Sequence, residues 1–133
     1  MKSILRSGKR RTAIARAIIR NGTGRVLING IPLEVLEPDI VKMKLMEPLH
    51  FIDQKLRKNI DIKVKVKGGG FMGQADAART AIARALLAWT NSDQLRVRYF
   101  EYDRHMIVGD PRRREPKQFG GPGARAKYTK SYR

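Results

Sequence analysis

The sequence contains no cysteine, which excludes disulfides, thiolate zinc sites and cysteine nucleophiles together. Histidine is nearly as scarce: His50 and His105 are the two, far apart and in unlike surroundings, so no metal site is expected. No run comes near the roughly 18 consecutive apolar residues that a membrane span needs. The opening MKSILRSGKRR has no apolar stretch of signal-peptide length. The most informative shortage is of negative charge. In 133 residues, 12 Asp and Glu stand against 29 Lys and Arg, a formal net charge of +17.

That excess is not spread evenly. Met1–Arg25 holds eight basic residues and no acidic one, Val26–Asp103 twelve and ten, and Arg104–Arg133 nine and two. The middle reads as an ordinary folded domain and the ends as electrostatic arms. Solubility does not require charge concentrated at both ends; binding to a polyanion does. A membrane surface would call for a basic amphipathic helix or a lipidation signal, and the Gly and Pro of the last thirty residues oppose such a helix.

Along the chain, Thr12–Asn21 reads as a strand, Asn21-Gly22-Thr23-Gly24 as a turn, and Arg25–Ile28 as the return strand of a hairpin. Ile31–Val35 adds an extended piece. Pro38-Asp39 starts a helix with Ile40, Met43, Leu45 and Met46 at helical spacing. Pro48 is expected to end it and to open a second helix carrying Leu49, Ile52 and Leu56. Ile60–Lys67, IDIKVKVK, alternates strictly. Its isoleucines and valines face a core, and Asp61, Lys63, Lys65 and Lys67 face solvent or a nucleic acid. The Ala-rich Gln74–Thr90 predicts a long helix burying Ala78, Ile82, Ala85, Leu86 and Trp89. Asn91-Ser92-Asp93 separates it from a last helix, Gln94–Tyr102. The expected fold class is α+β, with one helix-covered sheet. Residues 1–103 form the domain, with a basic N-terminal arm, and residues 104–133 form an extended basic tail.

The tail, RHMIVGDPRRREPKQFGGPGARAKYTKSYR, has no apolar periodicity with which to build a core. Arg112, Arg113, Arg114, Lys117, Arg125, Lys127, Lys130 and Arg133 recur along it, with Phe119, Tyr128 and Tyr132 interleaved. Guanidinium forks match phosphate oxygens, and rings stack on unpaired bases. Gly120, Gly121 and Gly123 let the backbone approach a polyanion closely. Fully extended, such a tail reaches about 100 Å. Lys9, Arg10 and Arg11 form a second basic group near the start.

Gly68-Gly69-Gly70-Phe71-Met72-Gly73 leads into the long helix. Gly68, Gly70 and Gly73 match the GxGxxG string, but no acidic residue follows at the dinucleotide spacing, and the loop lacks the Lys-Ser/Thr of a P-loop. Two readings stay open: a tight strand-to-helix turn, or an anion-binding loop of Gly68, Gly69, Gly70 and Gly73 on an RNA phosphate. No catalytic constellation is visible. Asp76 and Arg79 have the spacing of an ordinary helix pair; Asp61, Glu101 and Asp103 have no suggestive spacing; Ser131 has no candidate base nearby. No enzyme activity, cofactor or small-molecule substrate is expected.

GGGFMGQADAARTAIARAL, Gly68–Leu86, resembles the signature of the small-subunit ribosomal protein nine family. The matching positions are the glycines with Gln74, Ala77, Ala81, Ala83, Arg84, Ala85 and Leu86. The opening Gly8-Lys9-Arg10-Arg11-Thr12-Ala13 and the ending Lys130-Ser131-Tyr132-Arg133 extend the likeness over nearly the whole chain. The Ser-Tyr-Arg ending is similar to the archaeal and eukaryotic cytosolic form, and the short N-terminus to the archaeal one. Thr129 departs from the Gln of that branch. The resemblance implies a two-layer α/β sandwich like the second domain of small-subunit protein five, with a left-handed βαβ crossover. It implies a cytoplasmic place in the head of the small subunit, on its rRNA and beside other head proteins. It also implies a tail reaching the peptidyl-site tRNA through Arg133, with Tyr132 and Lys130 beside it. The rRNA contacts expected are Lys9, Arg10, Arg11, Arg112, Arg113, Arg114, Lys117, Arg125, Lys127 and Tyr128. Two rivals remain: a stand-alone nucleic-acid chaperone or DNA-binding protein, and a small kinase-like enzyme using the glycine loop, against which its missing lysine argues.

Overall fold

A computed structural model describes residues 2–132. The expected tRNA contact Arg133 lies outside the described residues. The chain folds as a mixed α+β unit. Strands β1 (Ser3–Arg10), β2 (Ala13–Asn21), β3 (Val26–Ile28), β4 (Ile31–Pro32) and β5 (Ile60–Lys67) form one sheet in the order β1-β2-β5-β3-β4. Helices α1 (Asp39–His50), α2 (Gln54–Lys58), α3 (Phe71–Thr90) and α4 (Asp93–Tyr102) complete it, with short 3-10 turns at Leu33–Val35 and Arg104–Met106.

Period-two alternation decides which face of the sheet is covered. In β2, Ala13, Ala15, Ala17 and Ile19 are buried, while Ile14, Arg16 and Arg20 are exposed. In β5, Ile60, Ile62 and Val64 join the same core, and Lys63, Lys65 and Lys67 stay in solvent, as the strict alternation of that segment predicts. Helix α3 lies on the covered face. Ala77, Ala78, Ala81, Ile82, Ala85 and Leu86 are all buried there, whereas Trp89, also expected on this face, is half-buried at its margin.

Four sequence expectations are corrected. Arg25–Ile28 is not the return strand of a hairpin with β2: β5 lies between them, antiparallel to β2 and parallel to β3. The turn connecting β2 and β3 is tied down from β5 instead. One Asp61 carboxylate oxygen accepts hydrogen bonds from the N–H groups of Thr23 (2.9 Å), Gly24 (3.1 Å) and Arg25 (3.0 Å). The first ten residues, read from charge as an arm, include edge strand β1, paired with β2 along Ser3–Arg10. A Cβ on Gly8 would lie 2.6 Å from the Ala81 backbone nitrogen and closer still to the Ala77 carbonyl oxygen, so this strand rests directly on α3.

Pro48 does not end α1, which continues to His50 and buries Val41, Leu45, Pro48 and Leu49 rather than Ile40 and Met43. Pro48 sits in the last turn, where a helix carbonyl needs an outside partner. The Tyr99 hydroxyl donates to the Pro48 carbonyl at 2.7 Å, and burial pushes that phenol's pKa well above its ordinary value. Asp76 and Arg79 do not pair with each other. Lys44 reaches Asp76 at 2.7 Å, and Arg79 Nε lies 2.9 Å from Glu47 while Nη2 bonds Asp103. Burial raises the Asp103 carboxyl, but the Arg79 and His105 N–H hydrogen bonds outweigh it, and the net shift is down.

Ser92 caps α4 by accepting from Leu95 N–H at 3.3 Å. Beyond Asp103 the chain stays docked: Met106 is fully buried with Ala83, Leu87, Leu95 and Tyr99, and Ile107 packs against them. From Val108 to Tyr132 there is no helix, and Asp110 makes an isolated bridge. Among the described residues no helix is long and apolar enough to cross a membrane.

Candidate nucleic-acid interface

The positions shared with the family signature have local reasons. Gly68 and Gly69 have φ of +82° and +67°, and a Cβ on Gly68 would lie 2.6 Å from the Thr12 carbonyl oxygen. They let the end of β5 pass against the β1–β2 turn. Gln74 Nε2 closes the loop by donating to the Gly68 carbonyl at 3.1 Å. Gly70 is the residue before α3, and no side chain caps that helix end. Arg84 is a staple: its Nε donates to the Ile107 carbonyl at 2.8 Å and its Nη1 to the Ser7 carbonyl at 3.0 Å. The small residues of α3 admit β1 at Gly8.

The same end of the sheet gathers the two basic groups that are farthest apart in sequence. Arg10 Nη1 lies 3.0 Å from Asp110, and the two backbones form an isolated parallel bridge. Arg112 forks the same carboxylate, with Nε at 3.0 Å and Nη2 at 2.8 Å. The Arg112 hydrogen bonds, helped by the charge of Arg10, hold the Asp110 carboxyl well below the usual range. Arg113 donates to the carbonyl of Arg11, itself in a left-handed turn at φ 54°. Part of the expected contact set, Arg10, Arg112 and Arg113, therefore fastens the tail to the domain. The side chains of Lys9, Arg11, Arg114 and Lys117 are exposed and make no ion pair among the described residues.

A cleft of about 200 Å³ beside this junction is lined by Lys9, Arg10, Lys44, Arg79, Asp103 and Asp110, among others. Most of its cations already have a carboxylate, so it stitches α1, α3, β1 and the tail together rather than presenting free charge. No cluster of three His, Asp or Glu able to hold a metal occurs among the described residues.

Further out, Gly120 (φ +81°) and Gly121 form a turn of the tail on itself. Tyr128 N–H donates to the Gly120 carbonyl at 3.4 Å, and Gly121 is buried against Ala126 with no room for a Cβ. These glycines are thus accounted for by the turn. Arg125 pairs with Glu115 at 3.2 Å, and Lys127 donates to the Phe119 carbonyl. The rings point outward: Phe119 is 94 % exposed, Tyr128 64 % and Tyr132 86 %. Lys130 is exposed beside them.

Sequence reasoning passed over three features. Asp110 is a lone acid before three arginines, and its position was the available signal. Arg84 stands in the signature segment, which by itself assigns it no role. Nothing local in the sequence groups Arg16, on the open face of the sheet, with Lys63 and Lys65, because the pairing of β2 with β5 is long-range.

A family model described as ribosomal protein S9/S16 matches residues 8–133. The chain is similar to "small ribosomal subunit protein uS9" of Methanothrix thermoacetophila, 53 % identical with all of both chains covered. It is also similar to the protein of the same name from Desulfurococcus amylolyticus, 51 % identical over all of this chain and 94 % of that one.

Proposed function

We propose a role that proceeds from one fact: this chain belongs to the ribosomal protein S9/S16 family. It is a structural protein of the small ribosomal subunit, serving translation in the cytoplasm, and not an enzyme. On that premise the domain docks in the subunit head on small-subunit rRNA, next to other head proteins. The connection from β3 to its parallel neighbour β5 is then the left-handed crossover of the fold resembling protein five. Lys9, Arg11, Arg114, Lys117, Arg125, Lys127 and Tyr128 contact rRNA, and the end of the tail reaches the peptidyl-site tRNA through Lys130, Tyr132 and Arg133. Gly70 and Gly73, at the uncapped start of α3, add a phosphate contact; Gly68 and Gly69 shape that turn.

The observation that carries this reading is the junction at Asp110. It brings the basic β1–β2 turn and the start of the tail to one place, from which exposed Arg, Lys and aromatic residues run outward. Such a tail neutralises phosphates and releases counterions, while its rings suit unpaired bases.

Small subunits carrying a chain without Lys130–Arg133 test the tail. They are expected to assemble and to bind peptidyl-site tRNA more weakly. Arg133→Ala is expected to do the same more mildly, since one charged hydrogen-bonding contact is worth about 1.5–3 kcal/mol at most. Unchanged tRNA affinity across a range of salt contradicts the assignment.

A further inference from the structure

The face of the sheet turned away from α3 is open, and its side chains are cationic and aliphatic. Cross-strand register places Arg16 directly opposite Lys65, with Ile14 opposite Lys67 and Ile18 opposite Lys63. Arg16, Lys63, Lys65 and Lys67 are exposed, and none of them is in an ion pair among the described residues. Asp61 is the acid of β5 on this side, and its carboxylate is engaged by the β2–β3 turn. Like charges directly opposite in a sheet are destabilising, so the Arg16–Lys65 pair costs the isolated fold stability and returns nothing within it. The cost is recovered if an external polyanion lies across the pair.

We infer that the open face of β2 and β5 is a binding surface for the sugar-phosphate backbone of double-helical RNA. This rests on the reading of the chain as an rRNA-binding protein, and it assigns a second surface distinct from the tail and its junction. Three observations select the ligand. Lys63, Lys65 and Lys67 project from alternate residues of one strand, about 7 Å apart, a spacing close to that of successive phosphates along a nucleic-acid strand. Arg16 stands about 5 Å to the side on the neighbouring strand, so the charges form a band rather than a single row. An open cleft of about 710 Å³ runs there, lined by Ile14, Arg16, Lys65, Lys67 and Asn29 among others.

The third observation is an absence. Strands β2 and β5 contain no aromatic residue, so this face has no ring of its own on which to stack an unpaired base. Recognition of single strands relies on such stacking, whereas double-stranded RNA is recognised by its shape and its phosphates. The tail has the opposite endowment, with three exposed rings. The two surfaces therefore divide the work: the sheet takes a duplex backbone and the tail takes unpaired nucleotides.

The test compares the full chain with the triple variant R16Q/K63Q/K65Q. Two labelled probes are used across a salt series, a short blunt-ended RNA duplex and an oligouridine of equal length. All three positions are exposed, and the substitutions remove a like-charge pair, so thermal melts should match wild type or exceed it. The slope of log K against log salt for the duplex is expected to become shallower by about 2.7, each lost phosphate contact contributing about 0.9. The oligouridine slope is expected to stay as it was. An unchanged duplex slope overturns the inference, as it would if the face covers a neighbouring protein instead. An equal loss on both probes also overturns it, because it marks general charge loss. Neither result touches the tRNA assay on the tail, so the two readings fail separately.

Discussion

Arg10 of the first strand and Asp110 at the root of the tail are joined twice, by a 3.0 Å ion pair between their side chains and by a bridge between their backbones. The relationship sets where the tail leaves the domain. Arg112 and Arg113 add a fork to Asp110 and a hydrogen bond to the Arg11 carbonyl, so the exit is held at residues 110, 112 and 113. On the proposed reading, holding the exit lowers the entropy lost in ordering the rest of the tail on RNA.

Asp110→Ala should therefore release the root of the tail without unfolding the domain. Trypsin cleavage at Arg112–Arg114 is expected to quicken several-fold and the thermal midpoint to fall modestly, because the Arg10 and Asp110 side chains are only 17 % and 7 % exposed and losing the acid leaves a shielded guanidinium unpaired. Limited proteolysis followed by mass spectrometry reads the three sites, and a thermal melt reads the midpoint.

Gly8→Ala should destabilise the domain by about 1–3 kcal/mol, the cost of forcing a methyl into a packed contact. The neighbours are the backbone of α3 at Ala77 and Ala81, which cannot swing aside as a side chain would. Urea unfolding measures it; a neutral result would mean that β1 lifts off α3 at little cost.

Tyr99→Phe should cost about 1–3 kcal/mol, because it leaves the Pro48 carbonyl buried without its donor. The T-shaped contact of the ring with Phe51, at 5.3 Å between centroids, survives the substitution, so the loss isolates the hydrogen bond. Urea unfolding of wild type and variant reads the difference, and an unchanged midpoint and slope would show that the carbonyl finds another donor.

Asp61→Ala should lower stability at neutral pH by about 1 kcal/mol, since water can take up part of the exposed turn. The Arg25 N–H bond, opposed by desolvation and helped by the Thr23 and Gly24 N–H groups, depresses the Asp61 pKa in the fold. A depressed carboxyl contributes stability that is present above its unfolded value of about 3.9 and is lost as pH falls through the folded value. The gap between wild type and variant should therefore be constant from neutral pH down to about 4 and close below it, as read by unfolding curves at each pH.

How much of this was legible depended on whether the cause was local. Ile60–Lys67 was readable to the residue because its alternation is strict, and the Ser92 cap because capping chemistry acts over three residues. β1 was not, because its buried position is Gly8, chosen for the absence of a side chain, so no apolar alternation marks it. The supposed hairpin failed because β5, forty residues away in sequence, inserts between β2 and β3. Pro48 misled because a proline near the end of a helix forfeits a single N–H bond and can still bury its ring, as it does here. At the interface, the basic residues of the tail were evident from composition, whereas their fastening to Asp110 and the cationic band of Arg16 and Lys65 exist only through pairing at long range.

The central claim, a stable constituent of the small subunit, is tested most directly by sedimenting the tagged chain from cell extract through a high-salt sucrose gradient. The account predicts that it travels with the small subunit after the wash, because the folded domain and the tail are both engaged with RNA. Release into the free fraction at the top of the gradient would contradict it and would mark a peripheral or stand-alone RNA binder.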